Sequence, residues 1–286
     1  MEKQELKDQK LDVRYLKDEE RIRSRALYDE VFVEDADAFS ELYYQIKTQD
    51  NQILVAEDNG AIVSMLHRNP YTFRFRGTSI PAEYIVAVAT KVTYRHQGLM
   101  RELLTKALRD MYADGRPFTF LMPADEAIYT PFDFRLMGND DEESLVTRKP
   151  EELAEEYDLF VEKDAQYQKR HIEWPEWEST PMMLRLVDVE KFVERIGAEK
   201  PQSLILHITD PILPENDSVF DWNFTEEGSQ LTRSDAEPEI TISIADLGSF
   251  LFGMLGAEEL PGITKTVFQK LEQVRVVDGV YINELV

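Results

Sequence analysis

The stretch Tyr84-Ile85-Val86-Ala87-Val88-Ala89-Thr90-Lys91-Val92-Thr93-Tyr94-Arg95-His96-Gln97-Gly98-Leu99-Met100-Arg101 decides the fold. Its first seven residues are β-rich. A short polar segment follows, with Arg95, His96, Gln97 and Gly98 at its end. Apolar residues then recur at helical spacing: Leu99, Leu103, Leu104, Ala107, Leu108 and Met111. The order is strand, tight basic loop with a glycine, helix. A helix N-terminus carries unpaired N–H groups and partial positive charge, which suit phosphate. Gly98 lets the backbone approach an anion closely. The stretch therefore reads as a pyrophosphate cradle.

Working outward, residues 19–32 and 36–48 read as helices. Gln52–Ala56 and Ala61–Leu66 form a hairpin around the turn signal Asp58-Asn59-Gly60, and Tyr71–Phe75 reads as a third strand. After the cradle helix, Phe118–Met122 reads as a buried strand, Ala124–Tyr129 as a short helix, and Phe132-Asp133-Phe134 as the lead into another strand. Residues 138–181 change character, with the acidic run Asn139-Asp140-Asp141-Glu142-Glu143, a charged helix over 150–170, and the link Glu173-Trp174-Pro175-Glu176-Trp177. From Met182 the pattern is α+β with a mostly antiparallel sheet. Strands are expected at 182–187, 203–209, 219–224, 230–232 and 239–244, and helices follow Asp188 and cover 245–255 and 260–274. A last short strand runs toward Val286.

The 286 residues hold 56 Asp and Glu against 32 Lys and Arg, a net charge of −24. Such a chain is a poor nucleic-acid binder, because phosphate repels it, and it suits cationic small molecules or basic peptides. There are no cysteines, which excludes a thiol nucleophile, a thiolate metal site and disulfides. The start, MEKQELKDQK, is charged rather than signal-like. No apolar run approaches the roughly 18 residues of a membrane span. The expectation is a soluble cytoplasmic protein with no membrane partner. His67, His96, His171 and His207 show no metal-like clustering, so no metal is expected.

Three blocks carry a family resemblance. Arg95-His96-Gln97-Gly98-Leu99-Met100 resembles the R/Q-x-x-G-x-G/A signature of GNAT acyl-CoA N-acyltransferases, with Met100 where most members have Gly or Ala. Ala127-Ile128-Tyr129-Thr130-Pro131-Phe132-Asp133-Phe134 is similar to the IYxRFGY block of the Eis (enhanced intracellular survival) type, with Pro131 in place of its arginine and Asp133 in place of its glycine. Met183–Phe192 and the strand–helix unit over 240–255 resemble the sterol-carrier-like domain that closes Eis-type enzymes. The resemblance implies an α/β (α+β) fold: an N-terminal GNAT domain with a mixed sheet flanked by helices over residues 1–145, a linker with a charged helix over 146–181, and a sterol-carrier-like (SCP2-like) α+β domain over 182–286. The second GNAT-like domain of full-length Eis-type proteins is expected to be lacking.

The resemblance further implies an acetyl-CoA-dependent N-acetyltransferase acting on a primary amine. Acetyl-CoA is the cosubstrate. Val88, Ala89 and Thr90 would offer backbone groups to the pantetheine arm, as an open strand edge pairs an added strand. Arg95, His96, Gln97, Gly98, Leu99, Met100 and Arg101 would hold the pyrophosphate, with the two arginines adding charge. Tyr129, a phenol able to donate a proton at neutral pH, would serve as acid toward the departing thiolate. The terminal carboxylate of Val286 would serve as base, with Glu83 as the second candidate. The expected partner is a cationic amine, and a homo-oligomer stays open. Two other readings remain: a non-catalytic acyl-CoA or lipid sensor, and a protein N-acetyltransferase.

Overall fold

A computed structural model describes residues 11–35, 37–137, 149–172 and 181–284. The first sheet starts with β1 (Asp12–Tyr15), which pairs antiparallel with β2 (Gln52–Asp58). Between them lie α1 (Arg25–Val31) and α2 (Asp37–Ile46). The expected hairpin joins β2 to β3 (Ala61–Phe75), and Asn59 and Gly60 both take positive φ, as a tight hairpin turn requires. β3 is one 15-residue strand rather than the two expected. Pro70, between the two expected strands, falls where the outer edge of β3 is uncovered. β2 covers β3 as far as Arg68, and β7 (Leu159–Val161) covers it only from Phe73. A strand tolerates proline at such an edge.

β4 (Thr78–Thr90) runs back along the other side of β3, followed by α3 (Leu99–Ala113) and β5 (Phe118–Leu121). α3 buries the apolar stripe read from sequence, from Leu99 to Met111, against one face of the sheet. α1 and α2 cover part of the opposite face. Beyond β5 come α4 (Glu126–Tyr129) and β6 (Arg135–Leu136).

The expected charged helix over 150–170 is instead α5 (Pro150–Glu156), β7 and α6 (Ala165–Arg170). Leu159, Phe160 and Val161 are all buried. A helix buries only one stripe, whereas β7 lies between β3 and β13 (Val280–Tyr281), with partners on both edges. β8 (Met183–Leu186), read from sequence as the start of the second unit, pairs antiparallel with β5 and β6 of the large sheet.

The second sheet has the order β11–β10–β9–β12, from β9 (Gln202–Thr209), β10 (Ser218–Phe224), β11 (Ser229–Arg233) and β12 (Ile240–Ser243). Only β9 and β12 run parallel. Around it lie α7 (Val189–Val193), capped by Asp188 as expected, α8 (Ile244–Leu251) and α9 (Lys265–Leu271). Its core is continuous with the large sheet: Phe73, Phe75, Phe118 and Phe120 share one apolar cluster with Phe192, Leu204, Trp222 and Phe252. The second unit thus covers the part of the sheet face that α1 and α2 leave open.

Candidate active site

β4 and β5 run side by side only at Glu83–Thr119 and Tyr84–Phe120. Beyond that point β4 carries a bulge: its register with β3 slips between Met65 and His67, and Ala87 takes φ +51. A bulge bends its strand away from regular pairing. From Ile85 to Thr90 the only strand partner of β4 among the described residues is β3, which leaves the edge toward β5 open. Ala89 is buried, while Val88 and Thr90 are half-buried along that edge.

The open edge leads directly to the loop before α3. His96 and Gly98 both take left-handed conformations, with φ of +62 and +86. The first backbone bond of α3 runs from the Glu102 N–H to the Gly98 carbonyl at 3.0 Å. Among the described residues, the N–H groups of His96, Gln97, Gly98, Leu99, Met100 and Arg101 have no backbone acceptor. No side chain caps the helix either. This concentrates donors where the helix dipole is positive. Leu99 buries its side chain and Met100 packs half-buried against the α3 core, so these two offer only backbone groups. Arg95 is exposed and donates from Nε to the Thr90 carbonyl at 3.1 Å. Gln97 donates to the Thr93 carbonyl at 3.2 Å. Arg101 lies over the Phe132 ring, 4.8 Å from its centroid, which ties the cradle to the segment after α4.

Tyr129 ends α4, whose N-cap Asp125 accepts from the Ala127 N–H at 2.9 Å. The ring is buried and meets Phe134 edge-on at 6.1 Å. Among the described residues the hydroxyl has no hydrogen-bond partner in the protein. Burial pushes its pKa up to about 12, so the phenol keeps its proton at neutral pH. The turn after it uses the two residues that depart from the Eis-type block. Pro131 sits in the first turn of a short 3-10 helix, and Asp133 takes φ +63, a conformation that glycine adopts freely and Asp tolerates.

The largest gap in the sequence reading is a buried polar cluster on the sheet face opposite α3. His67, Asn69 and Tyr71 follow one another on that face of β3, and Asn69 is the cross-strand partner of Tyr84. The Tyr43 hydroxyl pairs with His67 Nδ1 at 2.7 Å, and Asn51 donates to the Tyr43 oxygen at 3.2 Å. Lys47 donates to the Tyr71 hydroxyl at 3.2 Å, and the Tyr167 hydroxyl donates to Glu284 at 2.9 Å. Among the described residues several atoms here are buried without a partner: His67 Nε2, Asn51 Oδ1, both amide atoms of Asn69, the Tyr84 hydroxyl and Glu284 Oε1. Buried polar atoms are normally satisfied, so this concentration marks a place built to meet a polar molecule. An open pocket of about 160 Å³ adjoins it at the uncovered edge of β3, lined by Lys47, Asn51, Asn69, Tyr71, Glu162 and Tyr167 among others. Each residue alone reads in sequence as a packing or surface side chain, so only their convergence marks the site.

His67 is held neutral here. Burial lowers its pKa from 6.5 to about 3. The unfolded chain takes up a proton below pH 6.5 that the folded chain refuses. The stability His67 permits is therefore complete above pH 6.5 and falls as pH drops toward 3. The expected slope from this residue is about 1.4 kcal/mol per pH unit. Denaturant unfolding between pH 6.5 and 4 should show that slope reduced in His67→Gln. Equal slopes in the two proteins would show that another group sets the acid sensitivity.

Glu83, the second candidate base, is engaged elsewhere. It lies on the α3 face and receives Arg68 from both Nε (2.5 Å) and Nη2 (2.9 Å), with Arg116 at 3.0 Å. Arg68 also reaches Asp114 and the Tyr15 hydroxyl, both at 2.8 Å. This buried network occupies both carboxylate oxygens of Glu83. Val286, the first candidate, lies outside the described residues. His96 stays in the exposed cradle loop, and His207 faces Asp217 at 3.5 Å on the far sheet.

Residues 12–137 match the acetyltransferase (GNAT) domain family, and residues 189–275 match the sterol carrier protein domain family. No curated protein matches the sequence. Three solved structures share the arrangement. A probable N-acyltransferase of Enterococcus faecalis V583 superposes with a TM-score of 0.70 at 14% identity, covering 96% of this chain and 100% of that one. A GCN5-related N-acetyltransferase from Kribbella flavida gives 0.67 at 14% identity, covering 92% and 95%. Eis1 from Mycobacterium abscessus gives 0.62 at 15% identity, covering 93% and 94%. At these identities the likeness is one of fold. Among the described residues no helix is long and apolar enough to cross a membrane.

Proposed function

We propose that this chain, in which an acetyltransferase (GNAT) domain is followed by a sterol carrier protein domain, moves an acetyl group from acetyl-CoA directly onto a primary amine. The observation that carries the proposal is the continuity of the site. An open β4 edge runs into a cluster of unpaired N–H donors, and a protonated phenol ends α4, in the same apolar cluster as Val88 and Leu99.

The residues present fit acetyl-CoA. Backbone N–H groups of His96 to Arg101, with Arg95 and Arg101, would hold the pyrophosphate. Val88, Ala89 and Thr90 would pair the pantetheine amides in the manner of an added strand. The thioester supplies an activated acyl carbon. In the transfer a C–N bond forms and the C–S bond breaks. The acceptor enters as an ammonium and must lose two protons. One goes to a base before attack, and the other balances the proton that Tyr129 gives to the sulfur. The absence of cysteine favours direct transfer over an acyl-enzyme. The net charge of −24 favours a cationic acceptor by electrostatic attraction.

The test is incubation with acetyl-CoA and a panel holding a polyamine, an aminoglycoside and a lysine-containing peptide, with free thiol as the readout. Release dependent on a small amine is the expected result. Release with the peptide alone would move the assignment to protein acetylation. Tight CoA binding without release would make the protein a sensor. Gly98→Ala tests the cradle separately. A methyl there meets no atom within 4 Å, so only the φ of +86 opposes it. The expected penalty is about 1–2 kcal/mol, read in calorimetric titration as roughly tenfold weaker CoA binding. Unchanged affinity would show that the loop conformation is not needed for the ligand.

A further inference from the structure

We infer that the Glu284 side chain is the base for the acceptor amine, which reaches it through the uncovered edge of β3. The inference rests on the transfer reading above. Glu284 follows β13, whose pairing with β7 brings this segment over the large sheet. Its carboxylate is 2% exposed. Oε2 accepts from Tyr167 at 2.9 Å, while Oε1 has no hydrogen-bond partner among the described residues. A buried carboxylate with a free oxygen is costly unless a donor or a cation completes it. An alkylammonium has the charge and the donors to do so.

The surroundings lead from this oxygen toward the acyl site. The Tyr71 hydroxyl lies near the Glu284 carboxylate and opposes the rise in its pKa. Its ring stands 5.9 Å from that of Tyr84. Tyr84 is the last β4 residue paired with β5, so it stands where the two strands part. Among the described residues its hydroxyl is buried without a partner, as are the amide atoms of its cross-strand neighbour Asn69. Acceptor and acyl group would thus meet at the parting of β4 and β5, approached from opposite faces of the sheet.

The groups facing Glu284 are Tyr71 from β3, Tyr84 from β4, Tyr167 from α6, Lys47 from the turn after α2, and Lys163 from the segment after β7. Burial raises the Glu284 pKa, and the two lysines and two tyrosine hydroxyls oppose that rise. A carboxylate with a raised pKa takes a proton from an ammonium more readily than an ordinary one. His67, in the same cluster, binds a proton poorly, with its pKa lowered to about 3. The proton balance is RNH3+ plus carboxylate giving RNH2 plus carboxylic acid. The amine nitrogen then attacks the acyl carbon, and Glu284 returns its proton to solvent.

The experiment compares the unaltered protein with Glu284→Gln and Glu284→Asp, using the amine of the panel that releases thiol fastest. For Glu284→Gln, kcat/KM is expected to fall about 100-fold or more and its acidic pH limb to disappear. CoA affinity and the unfolding midpoint should stay unchanged. Glu284→Asp should restore part of the rate and the limb. Glu284→Gln with an unaltered rate and acidic limb would overturn the inference, leaving the transfer reading standing. So would a loss of rate that merely tracks a loss of CoA binding or of stability. No thiol release by the unaltered protein with any amine would overturn the transfer reading, and the inference with it.

Discussion

Tyr129→Phe is expected to lower kcat by about 10²–10⁴-fold while CoA affinity stays unchanged. The substitution removes one oxygen and keeps the ring. The ring is what packs: it lies in the α3-side core, edge-on to Phe134. The hydroxyl anchors nothing, since among the described residues it makes no hydrogen bond within the protein. Fold and cradle should therefore survive, and only proton donation should be lost. The pKa of about 12 sets the pH behaviour. The phenol stays protonated across the neutral range, so no basic limb below about pH 10 should arise from it. Rates at saturating and limiting acetyl-CoA separate the outcomes. Equal loss in kcat and kcat/KM at constant KM is the signature of a group acting in the transfer step. Full activity in Tyr129→Phe would remove the acid role.

Arg185→Met is expected to destabilise the fold by about 3–5 kcal/mol. Arg185 and Asp210 are both 0% exposed and meet at 2.8 Å. Arg185 stands on β8, in the large sheet, and Asp210 directly follows β9, in the second. The guanidinium also donates to the Phe132 carbonyl at 2.8 Å and to the Leu186 carbonyl at 2.5 Å. Removal leaves Asp210 buried with only the N–H groups of Ile212 and Leu213 and the Asn216 amide. Denaturant unfolding would read the loss, and Arg185→Met combined with Asp210→Asn should recover part of it, because the unpaired charge is gone. A loss under about 1 kcal/mol would put the pair among surface-like bridges. The Phe132 contact gives the variant a second consequence. Phe132 carries Arg101 and follows the Tyr129 turn, so activity should fall before global unfolding.

How much of this was legible beforehand follows from the range of each interaction. The strand, loop and helix of the cradle follow from residues adjacent in the chain. The Leu99–Met111 stripe has helical period, and Gly98 meets a conformation that L-residues resist. Tyr129 and the β2–β3 turn were equally local. The residues over 150–170 misled because their charge suggested a solvated helix, whereas three buried apolar residues found strand partners at both ends of the chain. The partners of Glu83 were hidden for the same reason: nothing near it in sequence announces Arg68 and Arg116.

The sequence by itself determined the strand, loop and helix around Gly98, the short helix that ends at Tyr129 and the α+β character of both units, because periodicity, turn chemistry and composition act within a few residues. Only the tertiary structure decided where β4 parts from β5, since that depends on a bulge and on how far two distant strands stay paired. It alone brought Lys47, Tyr71, Tyr167 and Glu284 together from four separate segments. Burial then changed their chemistry: leaving water raises the proton affinity of Glu284 and lowers that of His67, and no pattern along the chain encodes it.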